Sequence, residues 1–240
     1  MIILKDGSST TNLKGLPASA PLILNALEKS KIRYEYNDLK ELSFEVKMRD
    51  RIIENSRWLN NSAATFSAFA SSSFNPYYWI KTMSGYRLRP GKRPSAAIRD
   101  VFENPYLYSF ECVTTVVLLY YKSILDTIRP EYFDRLYSPM LIWGHNYNDA
   151  MHMETYEGVD NIPGDVHYFY NPDYGDPIWM GENAVYLGPD QYFGHGIGIV
   201  THDKMIEALN TLRKVNATKS AYLLNQTTRL NFSELYKYSQ

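Results

Sequence analysis

The order of the residue patterns along the chain limits the folds that it can adopt. Helical periodicity dominates the part before about Pro130, and short β-type runs separated by Gly-, Pro- and Asp-rich loops dominate the part after it. Doubly wound parallel sheets alternate strands with helices, whereas segregated helices and strands are typical of the α+β class. We therefore predict an α+β fold with a mostly antiparallel sheet.

The predicted elements follow from periodicity, caps and chain breakers. Asp38 is a good N-cap, and Leu39, Leu42, Val46 and Ile53 recur on one helical face behind it. The predicted helices span residues 38–59, 63–70, 95–101, 108–127 and 203–215, with a short one after Asn231. The predicted strands span residues 77–80 and 86–89, which form a hairpin, and 140–143, 166–170, 184–187, 193–200 and 221–224.

The length of 240 residues suits one large domain, and no linker divides it. We expect a single catalytic domain over residues 1–240. Within it, residues 1–20 are rich in Ser, Thr, Gly and Pro and are predicted to be a loosely ordered leader. Residues 38–130 form the mainly helical half of this prediction, and residues 131–240 form the mainly β half.

Composition argues against several classes of partner. The formal net charge of -1 gives no field that would attract nucleic acid or an anionic membrane, so neither partner is expected. No uncharged apolar run approaches the roughly 18 residues that a membrane span needs. Charged residues follow Met1 too soon for a signal peptide, and a single cysteine forms no intrachain disulfide. These features predict a cytoplasmic location.

The single cysteine, Cys112, lies near the start of a predicted helix. Unpaired backbone N–H groups and the helix dipole favour a thiolate there, which would lower the thiol pKa and allow attack on an amide carbonyl. The same N–H groups would stabilise the oxyanion that forms on attack. The alternative is a small buried hydrophobic residue without reactivity.

Two residues of the β half are candidate partners of the thiol. His195 is flanked by Gly194 and Gly196 in a predicted strand, and a helix-borne cysteine followed by a strand-borne histidine is the arrangement of papain-like hydrolases. Glu182 lies among aromatic and apolar residues, where its pKa would rise and suit it to acid–base catalysis. The alternatives are a packed histidine and a solvated turn glutamate.

A metal site is a further interpretation of the histidines. His145, His152 and His167 lie near several acidic residues in the middle of the β half. Their spacing is loose, and neither an HExxH pattern nor paired cysteines accompany them. We therefore expect no metal and no cofactor.

Several segments closely resemble the bacterial spore-coat transglutaminases, which are protein-glutamine gamma-glutamyltransferases of spore-forming bacteria. The resemblance extends from about residue 38 to near the C-terminus. Its segments are AIRDVFEN at 97–104, YSFEC at 108–112, YY at 120–121 with LDTI at 125–128, GEN at 181–183, YFGHGIGI at 192–199 and SAYLL at 220–224, followed by Gln226 and TRL at 228–230.

The resemblance implies a fold, an activity and a site. The fold is an NlpC/P60-like, papain-related core, with the nucleophile on a helix N-terminus packed against the sheet. The activity is calcium-independent formation of ε-(γ-glutamyl)lysine isopeptide bonds through a thioester, with release of ammonia. The implied catalytic residues are Cys112, Glu182, a second and partly substituting Glu111, and His195. Aromatic residues proposed to bind substrate are Trp179, Phe66 and Trp143.

The implied partners are spore-coat proteins, which donate glutamine and accept through lysine. The implied location is the mother-cell cytoplasm and then the spore coat. A carboxylate near a thiolate raises the pKa of both groups, so we expect Cys112 and Glu182 to share one proton. Two alternatives stay open: an NlpC/P60-type Cys-His hydrolase of cell-wall peptide amides, and a non-catalytic, tyrosine-rich coat scaffold. A scaffold predicts an unreactive Cys112.

Overall fold

The computed structural model describes residues 1–158 and 160–239, which form seven α-helices and fourteen strands. Val159 and Gln240, which the predicted 1–240 domain includes, lie outside the described residues. The helices are α1 Ala20–Lys29, α2 Leu39–Asn60, α3 Pro94–Glu103, α4 Cys112–Leu125, α5 Pro130–Leu136, α6 His202–Thr211 and α7 Phe232–Tyr236. The strands are β1 Ile2–Leu4, β2 Tyr34–Tyr36, β3 Thr65–Phe66, β4 Trp79–Thr82, β5 Gly85–Leu88, β6 Ser109–Phe110, β7 Leu141–Ile142, β8 Met153–Glu157, β9 Val166–Tyr170, β10 Gly181–Gly188, β11 Gln191–Gly194, β12 Gly198–Val200, β13 Tyr222–Leu223 and β14 Gln226–Leu230.

A seven-stranded sheet organises the second half of the chain. Its order is β12-β11-β10-β9-β14-β8, with β13 also paired to β9, and every pairing in it is antiparallel. Three smaller sheets join β1 to β2, β3 to β6, and β4 through β5 to β7. The pairs β1–β2 and β3–β6 are parallel, and the β4–β5–β7 sheet is antiparallel. The fold is therefore a mixed α/β domain with a mostly antiparallel arrangement of strands, as the sequence predicts.

Two helices form the centre of the main core. Asp38 caps α2 by accepting hydrogen bonds from the backbone of Lys40 and Glu41, which confirms the predicted start of this helix. The five residues 117–121 of α4 are all 0% exposed, so this helix is buried on every side. A helix enclosed in this way holds its first residue in a fixed position relative to the sheet.

The other face of the sheet has a smaller core. Phe169 of β9 and Tyr192 of β11 pack with Met205 and Leu209 of α6. Strands β9 to β11 are therefore covered on both faces. Because both faces are covered, Glu182 of β10 can be fully buried.

Two predicted helices differ from the structure where the backbone joins a small sheet. Residues 63–70 do not form a helix, because the backbone N–H groups of Thr65 and Ser67 donate to Tyr108 and Phe110 and create the β3–β6 pair. For the same reason the helix predicted over residues 108–127 begins only at Cys112. Cys112 is thus the first residue of its helix.

Other differences concern elements with weak local patterns. The predicted strand 193–200 is two strands, β11 and β12, joined by a turn at residues 195–197. The helix predicted from Ser95 begins at Pro94, with Arg93 as the N-cap. The 1–20 leader is more ordered than predicted, because Ile2–Leu4 pairs in parallel with Tyr34–Tyr36 and its apolar side chains pack on the core.

A buried ionic network ties α2 to the sheet. The Arg49 guanidinium is 0% exposed and donates to Glu45 and to Asp165, at 2.8 Å in each case. Arg229 of β14 also pairs with Asp165. Removing one member of such a network leaves an uncompensated buried charge.

In the part of the chain that the structure describes, no helix is long and apolar enough to cross a membrane.

Candidate active site

Cys112 begins α4, and Glu111 caps it. The Glu111 carboxylate accepts hydrogen bonds from the backbone N–H of Val113 at 2.5 Å, the backbone N–H of Thr114 at 2.9 Å and the Thr114 hydroxyl at 2.5 Å. The first-turn N–H groups of Val113 and Thr114 are therefore occupied by a carboxylate. These two N–H groups are not free to stabilise a thiolate or an oxyanion, contrary to the expectation, because Glu111 binds them.

The environment of Cys112 raises the pKa of the thiol. Burial is the largest cause, because the residue is 6% exposed, and the carboxylates of Glu182 and Glu111 add to it. The backbone and side chain of Asn183 act in the opposite direction, and the Asn183 Nδ2 atom lies 3.6 Å from the Cys112 Sγ atom. The lowering of the thiol pKa expected from the helix N-terminus is thus outweighed, and the pKa moves in the direction expected for a thiol beside a carboxylate. Cys112 is therefore a protonated thiol at neutral pH.

Glu182 lies within β10 and is 0% exposed, so it is not a solvated turn residue. Neither carboxyl oxygen has a well-formed hydrogen bond to any residue in the described ranges. Burial raises the pKa of this carboxyl well above its usual value, Glu111 raises it further, and the backbone of His195 opposes the change. A Cβ atom on Gly194 would lie 2.7 Å from the Glu182 Cγ atom, so glycine is needed beside this side chain.

His195 lies in the turn after β11, not within a strand. Its ring stacks on Phe110 at 4.9 Å between ring centroids and meets the edge of Phe66 at 5.9 Å. Burial lowers the pKa of His195 to about 4, while the backbone of Thr65 opposes the shift. The imidazole is therefore neutral near pH 7, and the thiolate–imidazolium pair of papain-like hydrolases is not favoured here.

Two of the three predicted aromatic residues lie together. The rings of Phe66 and Trp179 stack with centroids 4.6 Å apart. Gly196, with φ near +100°, allows this, because a Cβ atom there would lie 2.9 Å from the Phe66 ring. Trp143 instead packs on Phe69 at 4.9 Å, apart from the Phe66–Trp179 pair.

A cavity of about 410 Å³ opens at Cys112. Its walls are formed by Glu111, Cys112, Val113, His145, Tyr168, Pro177, Ile178, Met180, Gly181, Asn183 and Gln226. The residues on either side of Trp179 line it, whereas His195 does not. Glu182 does not line the cavity either, and it acts on the Cys112 thiol electrostatically from inside the protein.

Sequence reasoning missed three polar residues of the cavity as site residues: Tyr168, Asn183 and Gln226. Asn183 and Gln226 stand in segments that resemble the spore-coat family, which is the one signal that singles them out. Tyr168 lies opposite Asn183 in the β9–β10 pairing, and only the register of the two strands reveals that.

The family model for protein-glutamine gamma-glutamyltransferases matches residues 1–239. The chain belongs to this family. A gamma-glutamyltransferase from Bacillus pumilus (strain SAFR-032) is 40% identical over 238 residues, covering 96% of each chain. One from Bacillus subtilis (strain 168) is 37% identical over 221 residues, covering 90% of this chain and 89% of the relative.

A solved structure agrees with these relatives. The transglutaminase from Geobacillus stearothermophilus (without C-terminal extension) aligns with a TM-score of 0.80 at 42% identity, over 84% of this chain and 98% of that chain. The chain is thus an acyltransferase of the transglutaminase type, which acts on protein substrates. The hydrolase and scaffold alternatives are set aside on this ground.

A second cavity of about 820 Å³ lies away from the thiol of this transglutaminase. Its wall includes Tyr34, Asp160 and Arg229, which already bond to one another. None of the predicted catalytic residues lines it. The smaller cavity at Cys112 is therefore the candidate active site.

The histidines considered for a metal site are spread over different parts of the structure. His145 is at the catalytic cavity, His152 follows the turn before β8, and His167 is buried in β9. Burial lowers the pKa of His167. Within residues 1–158 and 160–239, no group of three or more potential ligands has the geometry of a metal site.

Proposed function

We propose that this transglutaminase transfers the γ-glutamyl group through a thioester on Cys112. The sulfur attacks the γ-carboxamide carbon of a protein glutamine, the C–N bond breaks, and ammonia leaves. A lysine ε-amine then attacks the thioester carbon, the C–S bond breaks, and an isopeptide bond forms. The thiol of Cys112 is regenerated in the second step.

Glu182 moves the protons in this scheme. The observation that carries its assignment is a fully buried carboxyl, without a well-formed hydrogen bond in the described ranges, beside a buried thiol. It takes the Sγ proton as sulfur attacks and delivers it to the leaving ammonia. It then takes a proton from the lysine ammonium, which at a pKa near 10.4 is otherwise unable to attack, and this proton passes to solvent. The second proton, which the amine loses as it attacks the thioester, is returned to sulfur.

The two groups together hold at most one negative charge. Burial raises both pKa values, and their charges repel each other, so ionising both groups in the free enzyme is unfavourable. A carboxyl with a raised pKa is a stronger base once ionised than an exposed glutamate. This property suits it to deprotonating a poor acid such as a buried thiol.

Glu111 is the second candidate base, and its geometry limits that role. Its carboxylate already accepts three hydrogen bonds at the start of α4, so accepting a proton would weaken the cap. We infer that Glu111 substitutes for Glu182 only partly. His195, neutral and packed between Phe66 and Phe110, positions the loop beside Glu182 without exchanging protons.

Phe66 and Trp179 exclude water from the thioester and contact the substrate side chains. The stacked Phe66 and Trp179 rings form a dry wall next to residues of the cavity, and such a wall disfavours hydrolysis of the thioester relative to attack by an amine. We assign both to binding of the substrate side chains. Trp143 precedes Gly144, whose N–H donates to the Thr114 hydroxyl at 2.8 Å, so its loop is fixed against the start of α4.

The wider proposal has three parts. The fold is related to the NlpC/P60 and papain group, supported by a nucleophile that begins a buried helix beside an antiparallel sheet. Catalysis is independent of calcium and of cofactors, supported by a scheme in which Cys112 forms the thioester and Glu182 carries out each proton transfer. The substrates are spore-coat proteins, met in the mother-cell cytoplasm and then the coat, supported by the resemblance to the spore-coat family and by the Bacillus relatives.

The test is incorporation of a fluorescent primary amine into a glutamine-bearing coat protein, in the presence of a calcium chelator. Wild-type enzyme is expected to incorporate the amine with release of ammonia, and Cys112→Ala to lose all incorporation. Retained incorporation by Cys112→Ala would refute the nucleophile. Incorporation that requires added calcium would refute the calcium-independent scheme.

A further inference from the structure

The proposed reaction needs hydrogen-bond donors for the oxyanion, and two of the helix N–H groups that were expected to provide them are occupied. Attack on a carboxamide places a negative charge on its oxygen, which a catalytic site stabilises with donors 2.7–3.1 Å away. The N–H groups of Val113 and Thr114 at the start of α4 both bind the Glu111 carboxylate. A donor in the cavity wall is therefore needed in place of these two N–H groups.

Asn183 has the required position. Its Nδ2 atom lies 3.6 Å from the Cys112 Sγ atom, and no other side chain within the described residues donates a hydrogen bond to this sulfur. Asn183 lines the catalytic cavity and is only partly buried, so a bound carboxamide can reach it. Its backbone is held in β10 by antiparallel pairing with Tyr168 of β9, which fixes the origin of the side chain.

We propose that the Asn183 side-chain amide is the oxyanion donor of this enzyme. This inference rests on the proposed nucleophile. In the free enzyme the amide donates to the sulfur. In each tetrahedral intermediate the oxyanion is bonded to the carbon that is bonded to Sγ, so a small rotation of the Asn183 amide transfers its N–H to that oxygen. The same donor serves the formation and the aminolysis of the thioester.

The assignment divides the Gly-Glu-Asn segment into two functions. Glu182 moves protons, and the next residue, Asn183, stabilises charge on oxygen. Asn183 also opposes the effect of the two carboxylates on the Cys112 thiol, because it favours the thiolate. An aspartate at this position would fit the same space, but it would add charge and remove the donor.

The experiment compares wild type with Asn183→Ala and the nearly isosteric Asn183→Asp. The rate of thioester formation with a glutamine substrate is expected to fall about 10²- to 10³-fold in both variants. The limiting rate of Cys112 alkylation by iodoacetamide at high pH is expected to stay within about threefold of wild type, because this substitution passes through no oxyanion. The midpoint of alkylation should move to higher pH in both variants.

A matched control is Asn104→Ala, which removes an asparagine that donates to Asp100 at 2.8 Å, away from the cavity. Its thioester rate should match wild type even where its unfolding free energy falls. If Asn183→Ala does not fold, Asn183→Asp alone decides the question. Thioester formation within about fivefold of wild type would overturn the proposal, and so would an equal loss in alkylation, which would mean that the sulfur is misplaced.

The outcome for Asn183 is separate from the outcome for the proposed function. Full amine incorporation by Cys112→Ala would refute Cys112 as the nucleophile, whatever the Asn183 variants do. Loss of activity in Cys112→Ala, with normal thioester formation in Asn183→Ala, would keep the nucleophile and reject the oxyanion donor.

Discussion

Replacing Glu182 with glutamine should abolish most activity and make the protein more stable. The substitution keeps the shape of the side chain and removes a charge that is 0% exposed and lacks a well-formed hydrogen bond to the described residues. A buried polar group without a partner costs about 1–3 kcal/mol and a charged one costs more, so the neutral glutamine amide avoids only the extra cost of the charge. The free energy of unfolding of Glu182→Gln at pH 8 should therefore exceed that of wild type by about 1–3 kcal/mol.

The stability that Glu182→Gln gains over wild type should increase as the pH rises. The pKa of Glu182 is raised in the folded state, so the folded protein binds a proton that the unfolded protein releases. Wild-type stability consequently falls as pH rises above the ordinary glutamate pKa, until the pH passes the folded pKa. Near pH 4 the carboxyl is largely protonated in both states, and the glutamine variant should have nearly the same stability as wild type.

Urea unfolding at pH 4, 6 and 8 measures this difference directly, and a gain of 1 kcal/mol corresponds to about 2–4 °C in melting temperature for a chain of this size. Transfer activity of the variant should fall about 10²- to 10⁴-fold, the usual contribution of acid–base catalysis. The reasoning is refuted if Glu182→Gln is no more stable than wild type at pH 8. It is also refuted if the difference is the same at pH 4.

The remaining predictions concern neighbouring features. Glu111→Gln should lower the free energy of unfolding by about 0.5–2 kcal/mol in urea, because it weakens three hydrogen bonds that cap α4. A variant as stable as wild type, or more stable, would show that these bonds do not stabilise the helix. Trp179→Ala should raise the ratio of glutamine hydrolysis to amine incorporation, measured as ammonia released per amine incorporated, and an unchanged ratio would exclude a role in keeping water out. Arg49→Met should lower the unfolding free energy by about 3 kcal/mol or more. The control is Arg51→Met, because Arg51 is half-exposed on the same helix, and it should change the unfolding free energy by less than about 1 kcal/mol. Similar losses in the two variants would show that the buried network does not stabilise the protein.

The parts of the fold that the sequence predicts well have strong local signals. Helix α2 has a capping aspartate and a regular apolar face, and strand β9 is a short apolar run between turn residues. The two-residue strands β3 and β6 have no such signal, because they exist only through pairing with each other. Their pairing also moves the start of α4 to Cys112, which residue propensities alone do not reveal.

The candidate site shows the same division between local and tertiary information. The residue types Cys112 and Glu182 indicate nucleophile and base, and family resemblance brings them together. The helix N-terminus alone predicts a lowered thiol pKa, whereas a neighbouring carboxylate predicts a raised one, and the structure agrees with the second. Which effect prevails depends on where the Glu111 carboxylate turns and on how deeply Cys112 is buried. Neither the orientation of a cap nor the depth of a core can be read from the order of residues.

A raised thiol pKa changes what reactivity of Cys112 means. Rapid labelling by iodoacetamide at neutral pH would ordinarily separate an enzyme from a scaffold, but a buried, protonated thiol labels slowly in both. An active transglutaminase of this design should therefore react quickly with a glutamine side chain and slowly with small alkylating agents. Such a thiol is also poorly oxidised. In the proposed scheme Glu182 deprotonates the thiol only as a carboxamide fills the cavity, so the same buried pair would protect Cys112 when substrate is absent.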